Sequence, residues 1–277
     1  MTNNLAAQAH AALKTKTIIK VESTRVENIH FQEIELPVFI IPLGTLKGIM
    51  PVHETGTGIF EGTKEEYAAL PDQEKGEIRR RMIAILASDF PLNARVTKIT
   101  GEIAYLSRKE ALADIAKKTL KDLNIKDLED LKGEIVYVTV IALPNDGAIC
   151  SMGGISAFLP RFDIDYTNPR PSRVLKVGQR LKVKVMDVKD DKLIVSQKAL
   201  LPDPWDDMDY KEGSVAKAKI IKPQQNGMGF VVAFEPGVTG IARNYIPSYV
   251  PRPFETVAVK IDVINREKRY IIGRLVK

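Results

Sequence analysis

Three histidines, one cysteine and a run of clustered cations are the residues with chemistry to offer. His10, His30 and His53 stand far apart, and Cys150 is alone. Zinc and thiolate sites need their ligands in closely spaced pairs, so no metal framework of that kind is written here. Neither a phosphate-cradling glycine loop nor a dinucleotide fingerprint occurs. Asp203, Asp206, Asp207 and Asp209 form an acidic knot that could attract Mg²⁺ but reads better as a solvated linker. The chain therefore reads as a binder and not an enzyme, with no cofactor. What accumulates is positive charge. Residues 211–277 hold 12 Lys and Arg against 5 Asp and Glu, whereas residues 1–130 hold 18 against 19 and residues 131–210 hold 11 against 11. A basic segment of that size is a footprint for a polyanion, or else a basic surface without a partner.

The elements that would position those charges are mostly short strands. The 277 residues suggest two or three domains. The single cysteine excludes a disulfide framework and points to a reducing, cytoplasmic setting. No apolar run approaches the ~20 residues of a membrane span. "MTNNLAAQAHAALK" makes a poor signal peptide and reads as a loose or helical arm, residues 1–14.

One plan recurs along the chain. Between 133 and 200, "GEIVYVTVIA", "GAICSM" and "GGISAFLP" read as three strands, the first two joined by an Asn-Asp-Gly turn. In "LKVGQRLKVKVMDV", Leu181, Val183 and Val185 face in while Lys182 and Lys184 face out, and "DDKLIVSQ" closes the set. Five strands in about seventy residues describe a small closed barrel. The plan returns at 213–277, with "GSVAKAKIIK", "NGMGFVVAF", "GVTGIARNYI", "TVAVKIDVIN" and "KRYIIGRLVK". A looser copy fills 15–112. It contains an insertion at 63–87, where Thr63 and Glu66 form a capping-box pattern and Ile78, Met82 and Leu86 share a helical face. Ser107 and Glu110 repeat the capping pattern and open a helical linker, 113–132. A Pro/Asp linker, 201–212, carries Trp205 as a wedge in the joint between the second and third barrels.

The order of strand, Gly-rich hairpin, "ISAFLP", loop, "LKVGQRLKVKVMDV" and "IVSQKALLPDPW" resembles the ribosomal protein S-one RNA-binding domain. "KGIMPVHE" and "LSRKEAL" in the first copy, and "NGMGFVV" and "GVTGIA" in the third, extend the likeness to roughly 240 of the 277 residues. The resemblance implies a mainly β chain of three tandem five-stranded OB-fold barrels with inserted and linker helices. In that family, bases stack on rings of the second and third strands while Lys and Arg track the phosphates.

Carried over position by position, the third barrel fares best. Phe230 takes the place of a second-strand ring, Arg243 the polar position after the third strand, and Arg269 the arginine of the last hairpin. The other second-strand ring falls at Gly227 and is missing, with Tyr245 and Tyr270 nearby to compensate. Lys217, Lys219, Lys260 and Arg266 would form the cationic rim. In the middle barrel the ring positions fall at Asp146 and Ile149, the polar position at Pro160, and the last-hairpin pair at Lys189 and Lys192. Phe162 could rescue its face, whereas Phe158 reads as core. In the first, Arg79, Arg80 and Arg81 could touch RNA or face solvent, and His53 reads as a packing histidine.

These readings imply a protein that holds single-stranded RNA, or single-stranded DNA by the same chemistry, with low sequence specificity in translation or RNA handling. Its partners would include the ribosome or an RNA polymerase, with no membrane and no small-molecule substrate. The alternative is a protein-docking or structural module, on a ribosome, polymerase or virus particle, whose RNA face is reduced.

Overall fold

The computed structural model describes residues 2–31, 34–87, 91–224, 229–246 and 249–276. Contacts divide the chain into two compact units, Met1–Leu200 and Leu201–Lys277. No helix among the described residues is long and apolar enough to cross a membrane.

The first unit begins with helix α1 (Thr2–Thr15) and strands β1 (Ile18–Val21), β2 (Arg25–Phe31), β3 (Ile34–Leu43) and β4 (Leu46–Pro51). Helices α2 (Lys64–Ala69) and α3 (Asp72–Leu86) follow, then β5 (Leu92–Thr100) and β6 (Ile103–Ser107). These strands form a six-stranded sheet in the order β1-β5-β6-β4-β3-β2. That is the circular order of the expected barrel with its first strand broken after Val21, so that β1 pairs with β5 and β2 with β3. The insertion starts as its residues dictate. The Thr63 side chain accepts from the Glu66 amide at 3.2 Å and Glu66 accepts from the Thr63 amide at 2.7 Å. Pro71 ends α2 and starts α3, which buries Ile78, Met82 and Ile85, with Leu86 only partly covered.

Helix α4 (Arg108–Asp122) is capped by Ser107, whose hydroxyl accepts from the Glu110 amide at 3.0 Å. The Glu110 carboxylate turns to Arg95, 3.6 Å away. The helix reaches as far as the middle barrel. A Cβ on Gly154 would lie 2.4 Å from the Leu112 carbonyl oxygen and 2.6 Å from the Ala116 nitrogen, and its φ is +88°. Only glycine meets both demands, so the hairpin turn seats directly on α4. Thr119 adds a hydrogen bond to the Gly153 carbonyl at 2.8 Å. Arg108 is 2% exposed and donates to the Thr55 and Thr57 carbonyls at 2.5 and 2.8 Å. Burial pulls its pKa down to about 10, leaving it charged at neutral pH.

The middle barrel comprises β7 (Ile135–Ala142), β8 (Gly147–Met152), β9 (Ile155–Pro160), β10 (Arg180–Lys189) and β11 (Lys192–Ser196), closed in the order β10-β11-β9-β8-β7. Leu181, Val183 and Val185 are buried while Arg180 and Lys182 are exposed, as period-2 alternation requires. The Cys150 thiol lies in this core, and burial raises its pKa to about 12, so it is unreactive while folded.

A short helix α5 (Pro171–Val174) lies between β9 and β10 of the middle barrel, and the second unit carries α6 (Pro204–Asp207) and the strands β12 (Val215–Pro223), β13 (Gly229–Glu235), β14 (Val238–Arg243), β15 (Thr256–Asn265) and β16 (Tyr270–Val276). They close as β12-β13-β14-β16-β15. Trp205, expected in a joint, is 5% exposed in a cluster with Met208, Val238, Ile261 and Ile271 of its own unit. Its indole N–H donates to the Gly237 carbonyl at 3.0 Å. The Pro/Asp segment is thus packed onto the third barrel. Trp205→Ala should lower the stability of this unit by about 3–5 kcal/mol, measured by urea titration followed by circular dichroism. A loss below ~1 kcal/mol would contradict the packing described.

Candidate nucleic-acid interface

Strand pairing fixes which side chains leave each barrel. In the middle barrel Ile149 is opposite Phe158, and Phe158 is alongside Ile194. Their chain neighbours Ala148, Cys150, Ala157, Leu159, Leu193 and Val195 are all at most 1% exposed. Ile149, Phe158 and Ile194 are therefore a row on the outer face. Phe158, expected in the core, is half-buried on the outside with its ring over Gly147, where a Cβ would come within 2.7 Å of it.

This row floors a cleft of about 390 Å³. Lys189 and Lys192, paired across the last hairpin, stand along one side with Asp190, and Asp146 and Pro144 come from the first hairpin. The first module adds Glu61 and Arg81. Lys192 Nζ lies 2.9 Å from Glu61 Oε2, with both side chains over 40% exposed. An ion pair that exposed is worth only about 0–1 kcal/mol, so a phosphate can replace the carboxylate. Beyond Ile194 the row ends at Asp187, whose carboxyl is held below the usual range by its hydrogen bond from Lys132 at 2.8 Å. Phe162, 60% exposed, adds a second accessible ring near the end of β9.

The arginine triplet of the insertion separates. Arg79 donates to Asn28 at 2.5 Å, Arg80 lies 3.8 Å from Glu77, and Arg81 alone lines the cleft. In the first module the row equivalent to Ile149–Phe158 is Ile40–Ile49, at 5% and 4% exposure and packed under Ile29, Phe31 and Ile103.

The third barrel corrects the sequence reading by one residue. Gly229 is opposite Arg243 as Gly147 is opposite Pro160. That register puts Val231, not Phe230, at the position of Ile149. Phe230 is opposite Ala242 and on the same side as Val232, both 0% exposed, and it packs on the barrel core. A slip of one residue reverses a strand's faces. Gly227 lies outside the described residues. The outer row here is Val231, Ile241 and Ile272, which carries no ring. Tyr270 stands half-buried beside it, and Tyr245 is 66% exposed beyond the strand.

The expected cations divide. Arg243 is exposed next to Arg274, and Arg274 is opposite Lys260, giving a basic row across three strands. Nothing in the sequence reading singled out Arg274, although its place two residues after Ile272 and four after Tyr270 puts it on their face. Lys217 and Lys219 are exposed on β12, with Lys219 Nζ 5.7 Å from the Phe254 ring centre. Arg266 is not a rim cation. It donates to the Trp205 and Met208 carbonyls at 2.7 and 3.2 Å and so fastens the Pro/Asp segment. Arg269 likewise reaches Asp203 at 2.5 Å, though its side chain stays 60% exposed.

Residues 129–198 match the family model of the S1 RNA binding domain. Over 196 residues the chain is 30% identical to a 4-hydroxy-3-methylbut-2-enyl diphosphate reductase of Clostridium acetobutylicum, covering 66% of this chain and 29% of that protein. It is 30% identical over 188 residues to a small ribosomal subunit protein bS1 homolog of Bacillus cereus, covering 61% and 49%. With the small ribosomal subunit protein bS1 of Rhodopseudomonas palustris it shares 25% identity over 178 residues, covering 60% and 31%. The matches thus span less than half the length of each of these relatives.

Because Phe230 packs inward, Phe230→Ala should cost about 2–3 kcal/mol of stability in a denaturant titration. Its effect on RNA affinity should be under twofold in a fluorescence anisotropy titration at a temperature where the variant stays folded. A large loss of affinity there would restore Phe230 to the binding face.

Proposed function

We propose that this chain is a single-stranded RNA-binding protein working from the S1 RNA-binding domain at residues 129–198. One observation carries the reading: the Phe158 ring lies on the outer face of that barrel, in an aliphatic row flanked by Lys189, Lys192 and Arg81. A ring and two branched side chains offer a platform for unstacked bases, and the cations meet the phosphates. Nothing in the row presents a fixed donor and acceptor pattern to base edges, so sequence preference is low. The third barrel contributes through charge, with Arg243, Arg274, Lys260, Lys217 and Lys219 on a face without a stacking ring in its central row. Arg269 and Tyr270 lie at its margin.

The ribosomal relatives support a role in translation, in the cytoplasm and in contact with the ribosome. Single-stranded DNA would fit the same platform, and an RNA polymerase is a further docking assembly of the same chemistry. The reductase relative shares a stretch amounting to 29% of its own length, so its activity is not carried over to this chain. We read the chain as a binder and not as a catalyst. The protein-docking alternative draws on the first module, whose equivalent face is buried.

Titration of a labelled single-stranded RNA and a duplex DNA at two salt concentrations tests the reading. The single strand should be preferred, and log K for the middle barrel should fall against log salt with a slope near −2, about 0.7 for each of three cations. Phe158→Ala should weaken binding by about five- to 150-fold. Glu61→Gln should strengthen it several-fold by freeing Lys192. Equal affinity for duplex, or indifference to Phe158, would sink the assignment. A pull-down after nuclease treatment separates the alternatives, because partners that persist without RNA support docking.

A further inference from the structure

A second cavity, of about 150 Å³, lies where α4 meets the middle barrel, and it shares no residue with the cleft floored by Phe158. Four polar side chains line it: Asn93 of β5, Arg108 of α4, Thr139 of β7 and Ser151 of β8. Each carries an N–H or O–H donor, and among the described residues no Asp or Glu lines the cavity. The Ser151 oxygen accepts from the Gly154 amide at 3.2 Å, which leaves the hydroxyl proton to donate elsewhere. Leu112, Ile115 and Ile141 complete the wall and give these donors an apolar setting.

Arg108 sets the charge of the cavity. It is 2% exposed and stands in the first turn of α4, where the helix dipole is already positive. Nη1 serves the Thr55 and Thr57 carbonyls, and Nε and Nη2 make no hydrogen bond among the described residues. Neither atom is sealed in the way Arg95 Nε is, so both keep surface toward the cavity that Arg108 lines. The carboxylates of the same helix are engaged elsewhere: Glu110 lies 3.6 Å from Arg95, and Asp114 pairs with that arginine too. Glu61, whose field reaches Arg108, makes its ion pair with Lys192. A buried cation held by carbonyls alone is costly, and an anion within reach removes much of that cost. The ligand that fits is therefore negative and rich in acceptors. It is also small, because about 150 Å³ falls below the roughly 300–1,000 Å³ of sites for larger ligands. A single tetrahedral ion fits, and a nucleotide does not.

We propose that this cavity is a site for one small oxyanion of the phosphate or sulfate class, held by the Arg108 guanidinium, the Ser151 and Thr139 hydroxyls and the Asn93 amide. Asn93 and Arg108 come from the first module, Thr139 and Ser151 from the middle barrel. The ion joins the two, and its binding stabilises the unit Met1–Leu200. The site stands independently of the RNA reading, with which it shares no residue.

Calorimetric titration of the full chain with inorganic phosphate and with sulfate, at an ionic strength held constant with sodium chloride, tests it. One saturable site for either oxyanion is expected, together with a rise in melting temperature that chloride does not reproduce. Arg108→Met should weaken binding by about ten- to 150-fold, the loss of a charge-assisted donor. The site should be retained by Lys189→Ala with Lys192→Ala and by Arg243→Ala with Arg274→Ala, which strip cations from the two outer faces. If either of those pairs removes the signal while Arg108→Met keeps it, the ion sits on the surface cations and the proposal is overturned. Absence of saturable binding to the unaltered chain overturns it as well. Should Arg108→Met fail to fold, as judged by its thermal melt, Asn93→Ala with Thr139→Val replaces it, since both side chains are only half-buried. A loss of about fivefold or more in that variant supports the proposal, and unchanged affinity overturns it.

Discussion

Closure of a five-stranded barrel leaves each strand only two choices for every side chain, in or out. The ladder hydrogen bonds fix the choice for a whole strand at once, because successive residues point to opposite faces. The placement of every ring discussed above follows from that parity. In the middle barrel it sends Phe158 outward beside Ile149 and Ile194, and in the third it sends Phe230 inward onto Val232 and Ala242. In the first it leaves Tyr105 as the ring of the outer row. Two closed barrels and a six-stranded sheet of the same strand plan thus present three different surfaces, each decided by where a ring falls on an odd or even position.

The strand plan, the insertion helices and the capping of α2 and α4 were legible in the sequence because they rest on local periodicity and on side chains that bond to nearby backbone. The outward-facing row of the third barrel was not. Its second strand opens with Gly229, two residues after Gly227 in the sequence, and glycine gives no signal of which face a strand presents. Counting a ring position through such a stretch is easily wrong by one, and one is enough to exchange core for surface. Phe158 misled for the opposite reason. Ser156, Ala157, Phe158 and Leu159 contain no charged residue to mark the outside, so an aromatic among them reads as core.

Charge was legible in amount but not in use. The last quarter holds the excess of cations, yet Arg266 and Arg269 are turned to carbonyls and a carboxylate of the segment that carries Trp205. Those bonds join residues about sixty positions apart and leave no trace in local spacing. Arg243, Arg274 and Lys260 are the converse case. They are distant in sequence and adjacent across the sheet, where Asp262, 3.7 Å from Arg274, offsets part of their mutual repulsion.

The turn at Gly153 and Gly154 has a consequence for how such a chain can change over time. Surface hairpins ordinarily accept insertions freely, but this one is seated against α4 with no room for a methyl group. Its length and its glycines are therefore fixed by a helix that begins in another module. Replacing either the first module or the middle barrel by another copy of the same plan would have to preserve this seat, whereas a cut after Leu200 would leave it intact.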